Sequence, residues 1–432
     1  MLYYFLKIVV GISTRIFYRN PLVLGRTNVP LNEPLIIASN HPNALCDPCS
    51  IAVFSKQRIH FLARGDVFQN KILYWIFVRQ LGMVPIYRLL EGAENLHKNE
   101  ETFRISTEKL KQKKTILMFS EGICIQERRL RKLKKGTARI AFASEESADW
   151  KLGLKVIPLG MNYTNPKKFR SDLVFNYGKP IVMKDFQEVY VKDKAIAINE
   201  FTKHLQKELS KLVVHIDDVQ NDQLVSDMEE IYGNQITGVK KEKFITTQKI
   251  VQAVNNLSRQ NHETVNSFRK KVRNYLAQIE NIHVRDWVVK KEKVSGFRLL
   301  ASGFWLLLCF PFHLFGLINN YLPYKIGYAT ANRIVKQVEF HASVNMYVSA
   351  MLYLIFYLIQ ILSVALIFRN WWILGAYIIL LPLSGLFSLK YYTFLKKTFG
   401  QWRFFSLENK KREEIIRMRN ELVSELALYF KL

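Results

Sequence analysis

Residues 34–47 read PLIIASNHPNALCD, an apolar run that ends in a group of polar side chains. The run at 35–39 is short and continuously apolar, as is typical of a strand buried inside a sheet. His41 and Asp47 follow it, at the point where open α/β sheets carry their chemistry. A histidine can take a proton near neutral pH, and a nearby carboxylate can hold its ring and stabilise its charged form. The stretch therefore predicts an α/β sheet with a histidine–aspartate pair at the end of a strand.

Four more apolar runs have the length and composition of strands. These predicted strands are 59–62, 115–119, 156–159 and 173–175. Because basic or mixed helical stretches lie between them, we predict an α/β domain at residues 21–185. Residues 186–296 contain no convincing strand and are predicted to form a charged helical region, with amphipathic helices at 195–214 and 246–282.

The composition combines a strong positive charge with high hydrophobicity. Lys and Arg number 63 against 36 Asp and Glu, a net charge of +27, while 49% of the residues are hydrophobic. The charge suits a polyanionic partner, and the hydrophobic content favours an anionic membrane over nucleic acid, which is not expected to bind. The four cysteines provide neither a disulfide framework nor a zinc-ligand set, so we expect reduced thiols facing the cytosol and no metal.

The last third of the chain contains long uncharged segments. Residues 344–368 and 371–389 have no charged side chain, and a bilayer core requires about 20 helical residues. Only two residues separate them, which predicts a helical hairpin of two spans. Residues 299–318 are also uncharged, but Pro311 and His313 interrupt them.

The number of spans decides on which side of the membrane the basic flanks lie. If all three segments crossed, the basic stretches before 299 and after 389 would lie on opposite sides, against the positive-inside rule. Within a membrane domain at 297–392 we therefore favour a re-entrant or interfacial segment at 299–318 over a span. This arrangement predicts a multi-pass integral membrane protein whose catalytic domain faces the cytoplasm.

The two ends of the chain are predicted to meet the membrane surface. Residues 1–20 are predicted to form a mostly apolar helix, and 393–432 a basic amphipathic helix that lies against anionic lipid. A narrow polar stripe runs along one side of the first helix. It consists of Lys7, Gly11, Thr14 and Arg15. This stripe fits an anchor in the headgroup layer and a helix packed on the domain core equally well, so both interpretations stay open.

Three further patterned segments follow the histidine–aspartate pair. They are 82–88 (GMVPIYR), 119–122 (FSEG) and 156–160 (VIPLG). In order and spacing, the four segments resemble the PlsC-like glycerolipid acyltransferases, which transfer a fatty acyl group from a thioester to a glycerol hydroxyl. The resemblance extends over residues 36–181.

The resemblance implies roles for five residues of the four segments. His41 would be the general base that takes the proton of the acceptor hydroxyl, and Asp47 would orient its ring. Arg88 would hold the acceptor phosphate in its planar guanidinium fork. Glu121 and Gly122 would shape the acceptor pocket. The hydroxyl would attack the thioester directly, with acyl-CoA or acyl carrier protein as co-substrate and with no cofactor.

The basic run 127–136, ERRLRKLKKG, supports two interpretations. It could be the solvated face of a helix. It could instead bind an acidic ligand: the phosphates of coenzyme A, the surface of acyl carrier protein, or anionic lipid. Lys135 and Gly136 match a lysine–glycine pair of the family, which favours a substrate-binding role for Lys135.

Two positions depart from the family pattern. Five residues separate His41 from Asp47 where the family usually has four, and on an unbroken helix this spacing turns the side chains to different faces. His41 is therefore expected to precede the helix, with Pro42 at its first position. The longer spacing resembles a subgroup that includes fungal-type glycerol-3-phosphate and dihydroxyacetone-phosphate acyltransferases. Ile123 and Cys124 stand where the family commonly has Thr-Arg, so one basic contact is missing.

The sequence thus predicts an α/β acyltransferase domain, a helical region and a C-terminal transmembrane hairpin. The expected activity is acyl transfer to glycerol 3-phosphate or dihydroxyacetone phosphate, for the synthesis of phosphatidic acid and phospholipids. Lysophosphatidic acid is an alternative acceptor. One alternative mechanism uses Cys46 as a covalent nucleophile. An alternative function is a catalytically dead membrane scaffold, and retention of the motif residues argues against it.

Overall fold

The computed structural model describes residues 1–19, 21–65, 70–86, 98–236, 239–291 and 295–430. The chain divides into two compact units, which are considered separately. The first unit contains Met1–His215 and the short segment Lys336–Ser343. The second contains Ile216–Val335 and Val344–Leu432.

A mixed sheet is the centre of the first unit. Its strands are β1 (Leu22–Leu24), β2 (Leu35–Ser39), β3 (Ile59–Arg64), β4 (Val84–Ile86), β5 (Thr115–Phe119), β6 (Lys155–Tyr163), β7 (Leu173–Tyr177) and β8 (Ile181–Val182). In the described part of the chain they follow the order β1-β7-β6-β2-β5-β3-β4, with β8 paired to β6. The pairs of β6 with β7 and β8 are antiparallel, and the others are parallel. The predicted α/β fold class is confirmed.

The register of the sheet sets the position of the site. All five residues of β2 are buried, because the strand pairs on both sides, with β5 and with β6. Ser39 at the end of β2 lies opposite Phe119 and Leu159. Strands β2 and β5 therefore end together while β6 continues to Tyr163, and the segments that follow β2 and β5 emerge at the same edge of the sheet.

Helices of the first unit cover the sheet. They are α1 (Leu2–Phe17), α2 (Cys46–Phe54), α3 (Lys71–Tyr74), α4 (Lys98–Lys111), α5 (Gly136–Glu146), α6 (Gln187–Lys192) and α7 (Lys194–Ser210). Phe142 of α5 and Phe201 of α7 are fully buried in one apolar cluster with Ile36, Ile116 and Val156 of the sheet. Burying each such side chain stabilises the fold by about 1.5–3 kcal/mol.

The first helix packs on the domain, as one of its two interpretations predicted, and nothing in its contacts tests the anchor interpretation. Its small and polar stripe faces α2: Lys7 Nζ donates to the Ser55 carbonyl at 2.8 Å, and the Arg15 guanidinium lies 5.0 Å from the Phe54 ring centroid. The opposite side of the helix exposes large apolar side chains: Tyr4, Phe5, Ile8, Ile12 and Ile16. The helix therefore packs on the domain through the stripe and presents an apolar face outward.

The second unit is helical throughout its described residues. Its helices are α8 (Asp222–Gly233), α9 (Lys240–Gln260), α10 (His262–Asn281), α11 (Asp286–Val289), α12 (Gly296–Ile334), α13 (His341–Phe368), α14 (Trp371–Phe405) and α15 (Asn409–Phe430). The first three residues of α13 belong to the first unit. The predicted helix at 246–282 is two helices, because the Asn261 side chain accepts the N–H of Thr264 and starts α10.

The tail differs from the prediction in its bounds and its contacts. Because α14 continues to Phe405, the tail helix begins at Asn409 and not at 393. Its apolar residues Ile415, Leu422 and Leu426 are buried, and α15 packs on α9 and α10. The apolar side that was expected to meet lipid therefore packs against protein.

A buried ion pair holds the tail helix in place. Arg419 of α15 donates to both carboxylate oxygens of Asp286, at 2.7 and 3.0 Å. Tyr275 and Asn234 donate to the same carboxylate, at 2.7 and 2.8 Å. Loss of Arg419 would leave the Asp286 charge buried without its partner, which is strongly destabilising.

Three helices in the described residues are long and apolar enough to cross a membrane: α12, α14 and the stretch Val338–Phe368 that contains α13. They contain the three predicted uncharged segments. A Cβ at Gly316 would lie 2.3 Å from the Ser384 carbonyl, so α12 and α14 pack with their backbones almost in contact. The hydroxyls of Tyr357 and Tyr377 donate to the side chains of Asn320 and Asn319, which satisfies these polar groups between the helices.

Candidate active site

His41 and Asp47 meet in the loop that follows β2. His41 Nδ1 lies 2.9 Å from Asp47 Oδ2, so the two side chains meet across the five-residue spacing. The mechanism of this approach differs from the prediction. Helix α2 begins at Cys46, so Pro42 is not its first residue, and the φ of 30° at Ala44 is incompatible with an earlier start of the helix.

The Asp47 carboxylate is fully buried and receives donors on both oxygens. The Asn43 N–H donates to Oδ2 at 2.7 Å, and the Tyr163 hydroxyl donates to Oδ1 at 2.7 Å. Burial, and then the charge of Asp47, raises the pKa of Tyr163 well above its ordinary value, so its hydroxyl stays a donor. With three donors around it, the carboxylate is held in one orientation toward His41.

The ring of His41 is fixed by stacking as well as by the aspartate. It lies parallel to the Phe119 ring, with centroids 3.7 Å apart and an interplanar angle of 11°. When Nδ1–H donates to Asp47, Nε2 is the basic nitrogen of the ring. The side chain is 16% exposed, so solvent or a substrate can reach it.

Glu121 acts on the main chain. Its Oε2 accepts the N–H of His41 at 2.9 Å, and its Oε1 accepts the N–H of Arg131 at 2.8 Å. Burial raises the pKa of Glu121, and the two backbone donors oppose this rise. One carboxylate thus connects the loop of His41 to the basic run and fixes the position of both backbones.

Gly122 occupies a position that favours glycine. Its φ is +72°, in the left-handed region, and an added Cβ would lie 3.0 Å from the side chain of Lys134. A side chain here would strain the backbone and displace the basic run.

The basic run is an ordered loop, and the helix begins only at Gly136. Its apolar residues Leu130 and Leu133 are buried in the core. Their N–H groups donate to His215 Nδ1 and to Gln206 Oε1, each at 2.8 Å. The interpretation as one face of a helix is therefore wrong, and the loop holds Lys135 at an exposed position directly before α5.

The second patterned segment is described only in part. The carbonyl of Gly82 lies 3.0 Å from His60 Nδ1, and burial lowers the pKa of His60 to about 4, so the neutral ring donates this hydrogen bond. Arg88, the predicted phosphate ligand, lies outside the described residues.

The two cysteines near the site are unsuited to nucleophilic attack. Burial raises the pKa of Cys46 and of Cys124 to about 12 in each case, whereas the reactive species is the thiolate. Cys124 Sγ accepts the N–H of Ala44 at 3.0 Å and so supports the catalytic loop. In the part of the chain that is described, no group of three or more His, Cys, Asp or Glu residues could hold a metal.

The sequence interpretation missed two supports of the pair, Tyr163 and Asn43. The predicted strand ended at 159, whereas β6 continues to Tyr163 and places its hydroxyl at the aspartate. Apolar and polar residues alternate at 161–163 (MNY), and this alternation could have extended the predicted strand to Tyr163.

Comparisons with known proteins find similarity over the segment that contains His41 and Asp47. Residues 20–162 match the model of the Acyltransferase family. Glycerol-3-phosphate O-acyltransferase 1 of Saccharomyces cerevisiae is 25% identical over 212 residues, which cover 48% of this chain and 28% of the yeast protein. Glycerol-3-phosphate O-acyltransferase 2 of the same yeast is 27% identical over 135 residues, 31% of this chain and 18% of the relative. The chain thus spans less than a third of either curated relative.

Among solved structures, the chain is similar to the 1-acyl-sn-glycerophosphate (LPA) acyltransferase PlsC from Thermotoga maritima. The identity is 21%, the TM-score is 0.34, and the match covers 48% of this chain and 80% of that one.

The fold and the matched segment define an acyltransferase domain. This domain is PlsC-like, and over it the chain is similar to the two glycerol-3-phosphate O-acyltransferases of yeast.

Proposed function

We propose that this protein is a membrane-bound O-acyltransferase that transfers a fatty acyl group from a thioester to glycerol 3-phosphate or dihydroxyacetone phosphate. The observation that carries the proposal is the 2.9 Å contact between His41 Nδ1 and Asp47 Oδ2. It supplies a general base whose ring is fixed by a buried carboxylate. The product would enter the synthesis of phosphatidic acid and phospholipids.

The reaction proceeds in one displacement. His41 Nε2 takes the proton of the acceptor hydroxyl while the oxygen attacks the thioester carbonyl carbon. Asp47 stabilises the imidazolium that forms. The carbon–sulfur bond then breaks, and the proton passes from the imidazolium to the leaving thiolate, which restores the base. No covalent acyl-enzyme is required, in agreement with the raised pKa of Cys46.

The names of the two yeast relatives support a glycerol-3-phosphate acceptor. The five-residue spacing between His41 and Asp47 supports the same subgroup. Lysophosphatidic acid is the second candidate acceptor, because it presents the same phosphate and glycerol hydroxyl with one acyl chain added. Arg88 and Lys135 are proposed to bind phosphate groups of the substrates. The complete pair and its buried donors argue against a dead scaffold.

Three observations on the helices support the proposed membrane arrangement. Lys336–Ser343 belongs to the catalytic unit, so α13 would leave from the catalytic side. A crossing by α13 and a return by α14 would bring Phe405 back to that side. A Cβ at Gly303 would lie 3.0 Å from the Trp402 ring, which puts the start of α12 beside the end of α14. Both ends of α12 would then lie on the catalytic side, as expected for a re-entrant or interfacial helix.

Purified protein in lipid vesicles, offered acyl-CoA or acyl carrier protein donors with each of the three acceptors, tests the proposal. Wild-type protein should acylate glycerol 3-phosphate or dihydroxyacetone phosphate faster than lysophosphatidic acid. His41→Ala should lower kcat by about 10²–10⁴-fold. The control His262→Ala, at an exposed histidine of α10, should leave kcat unchanged. Full activity of a folded His41→Ala protein would refute the base mechanism.

A further inference from the structure

The short segment Lys336–Ser343 connects α12 to α13, yet it packs with the acyltransferase domain. Ser343 is 3% exposed, and its Oγ accepts the N–H of Cys46 at 3.1 Å. The Ser343 hydroxyl in turn lies 3.4 Å from Cys46 Sγ, its acceptor. A residue at the start of an apolar helix thus touches the residue next to the catalytic aspartate.

The contact supplies what helix α2 lacks. The first N–H groups of an α-helix have no partner within the helix, and a side-chain oxygen usually accepts one of them. The residue at the N-cap of α2 is Leu45, whose side chain has no oxygen. Ser343, 297 positions away in the chain, provides the oxygen and accepts the first N–H of α2. It therefore caps, from a distant segment, the helix that carries Asp47 in its first turn.

A second contact of the segment reaches the other loop beside His41. Glu339 Oε1 accepts the N–H of Gln126 at 3.4 Å. The neighbouring residue Ile125 donates its N–H to the carbonyl of His41 at 3.2 Å. The segment thus contacts both stretches of backbone that hold the histidine–aspartate pair.

We propose that Lys336–Ser343 is a part of the active site, in which Ser343 is a positioning residue for Asp47. Its hydroxyl fixes the first turn of α2, and thereby the distance between Asp47 and His41. Because the segment is the link between two membrane-capable helices, placement of those helices in lipid and alignment of the pair become coupled. This inference rests on the acyltransferase function proposed above.

Substitution of Ser343 tests the cap. Ser343→Ala should lower kcat by about 5- to 30-fold, the range expected for loss of an N-cap, while KM for donor and acceptor stays within about 2-fold. Ser343→Thr, which keeps the hydroxyl, should restore most of kcat. Ser343→Cys should give an intermediate kcat because sulfur is a weaker acceptor. The matched control is Ser349→Ala, two turns further along α13, where the hydroxyl contacts Asn345 of the same helix; its kcat should equal that of the wild type.

Alkylation of Cys46 provides a readout that does not depend on activity. In a background whose other three cysteines are serine, Ser343→Ala should increase the alkylation rate of Cys46 several-fold, and Ser343→Thr should not. Unchanged kcat together with unchanged protection of Cys46 in Ser343→Ala would overturn the proposal. The proposal would also be overturned if Ser343→Ala lowered kcat, Ser343→Thr failed to restore it, and Cys46 stayed protected from alkylation. A wild-type protein without acyl transfer would refute the proposed function alone, because the alkylation result still reports the contact.

Discussion

The hydroxyl of Tyr163 donates to Asp47 Oδ1 at 2.7 Å, on the side of the carboxylate away from His41. Tyr163 is the last residue of β6, and Asp47 lies in the first turn of α2, so this hydrogen bond fixes helix α2 to the sheet. Asp47 therefore receives its orientation from the sheet, from its own loop through the Asn43 N–H, and from the histidine.

Loss of the tyrosine hydroxyl should impair both activity and stability. We expect Tyr163→Phe to lower kcat by roughly 3- to 10-fold and the free energy of unfolding by about 1–2 kcal/mol, because a buried charge loses one hydrogen bond. The kinetics of acyl transfer and thermal unfolding in detergent measure the two effects. Tyr190→Phe is the matched control, since its hydroxyl donates to Glu146 and has no contact with the pair. Equal kcat values for Tyr163→Phe and the wild type would exclude a role for the bond in catalysis.

Cys46→Ser should keep most of the wild-type kcat. Its thiol is buried, its pKa is raised to about 12, and the proposed displacement uses no thiolate. Steady-state rates of both proteins, with mass spectrometry of samples quenched during turnover, check this expectation. Cys309→Ser serves as a control at a position in α12. An acylated Cys46 in the quenched samples, or an inactive serine variant that is folded, would replace the base mechanism with covalent catalysis.

Arg88→Ala should separate phosphate binding from proton transfer. A lost bidentate contact to phosphate costs about 1.5–3 kcal/mol, so KM for the phosphorylated acceptor should rise roughly 10- to 100-fold while KM for the donor changes little. The two KM values, measured with saturating co-substrate, test this. Arg79→Ala, at an exposed arginine before the same motif, is the control. Equal rises of both KM values would assign Arg88 a structural role.

The re-entrant arrangement predicts which positions can be labelled from each side of the membrane. Single cysteines at Lys291 and Glu421, in a cysteine-free background, should react from the same side as a cysteine at the exposed Lys132 of the catalytic domain. A cysteine at Trp371, the first residue of α14, should react from the opposite side. Maleimides that cannot cross the membrane, applied to sealed vesicles, distinguish cysteines on the outer side from cysteines on the inner side. Labelling of Glu421 from the side of Trp371 would establish an odd number of crossings.

The sequence by itself determined the features that depend on local composition. The strands at 35–39 and 115–119 were predicted with their observed bounds, because a continuous apolar run between polar residues has only one way to be buried. The uncharged segments identified the apolar helices for a similar reason, and the order of the motifs identified the acyltransferase domain. His41 and Asp47 could be paired from the sequence because only the five residues between them had to fold back.

Tertiary structure alone decided which surfaces meet. Tyr163 lies 116 positions from Asp47 and Ser343 lies 297 positions from Cys46, so no local periodicity encodes either contact. The same limit applies to two amphipathic helices. The apolar stripe of α15 packs on α9 and α10, although its pattern equally suits lipid. The polar stripe of α1 faces the domain and not the solvent. An amphipathic pattern specifies that a helix has two faces. Which partner covers each face depends on the packing of segments that are distant in the chain.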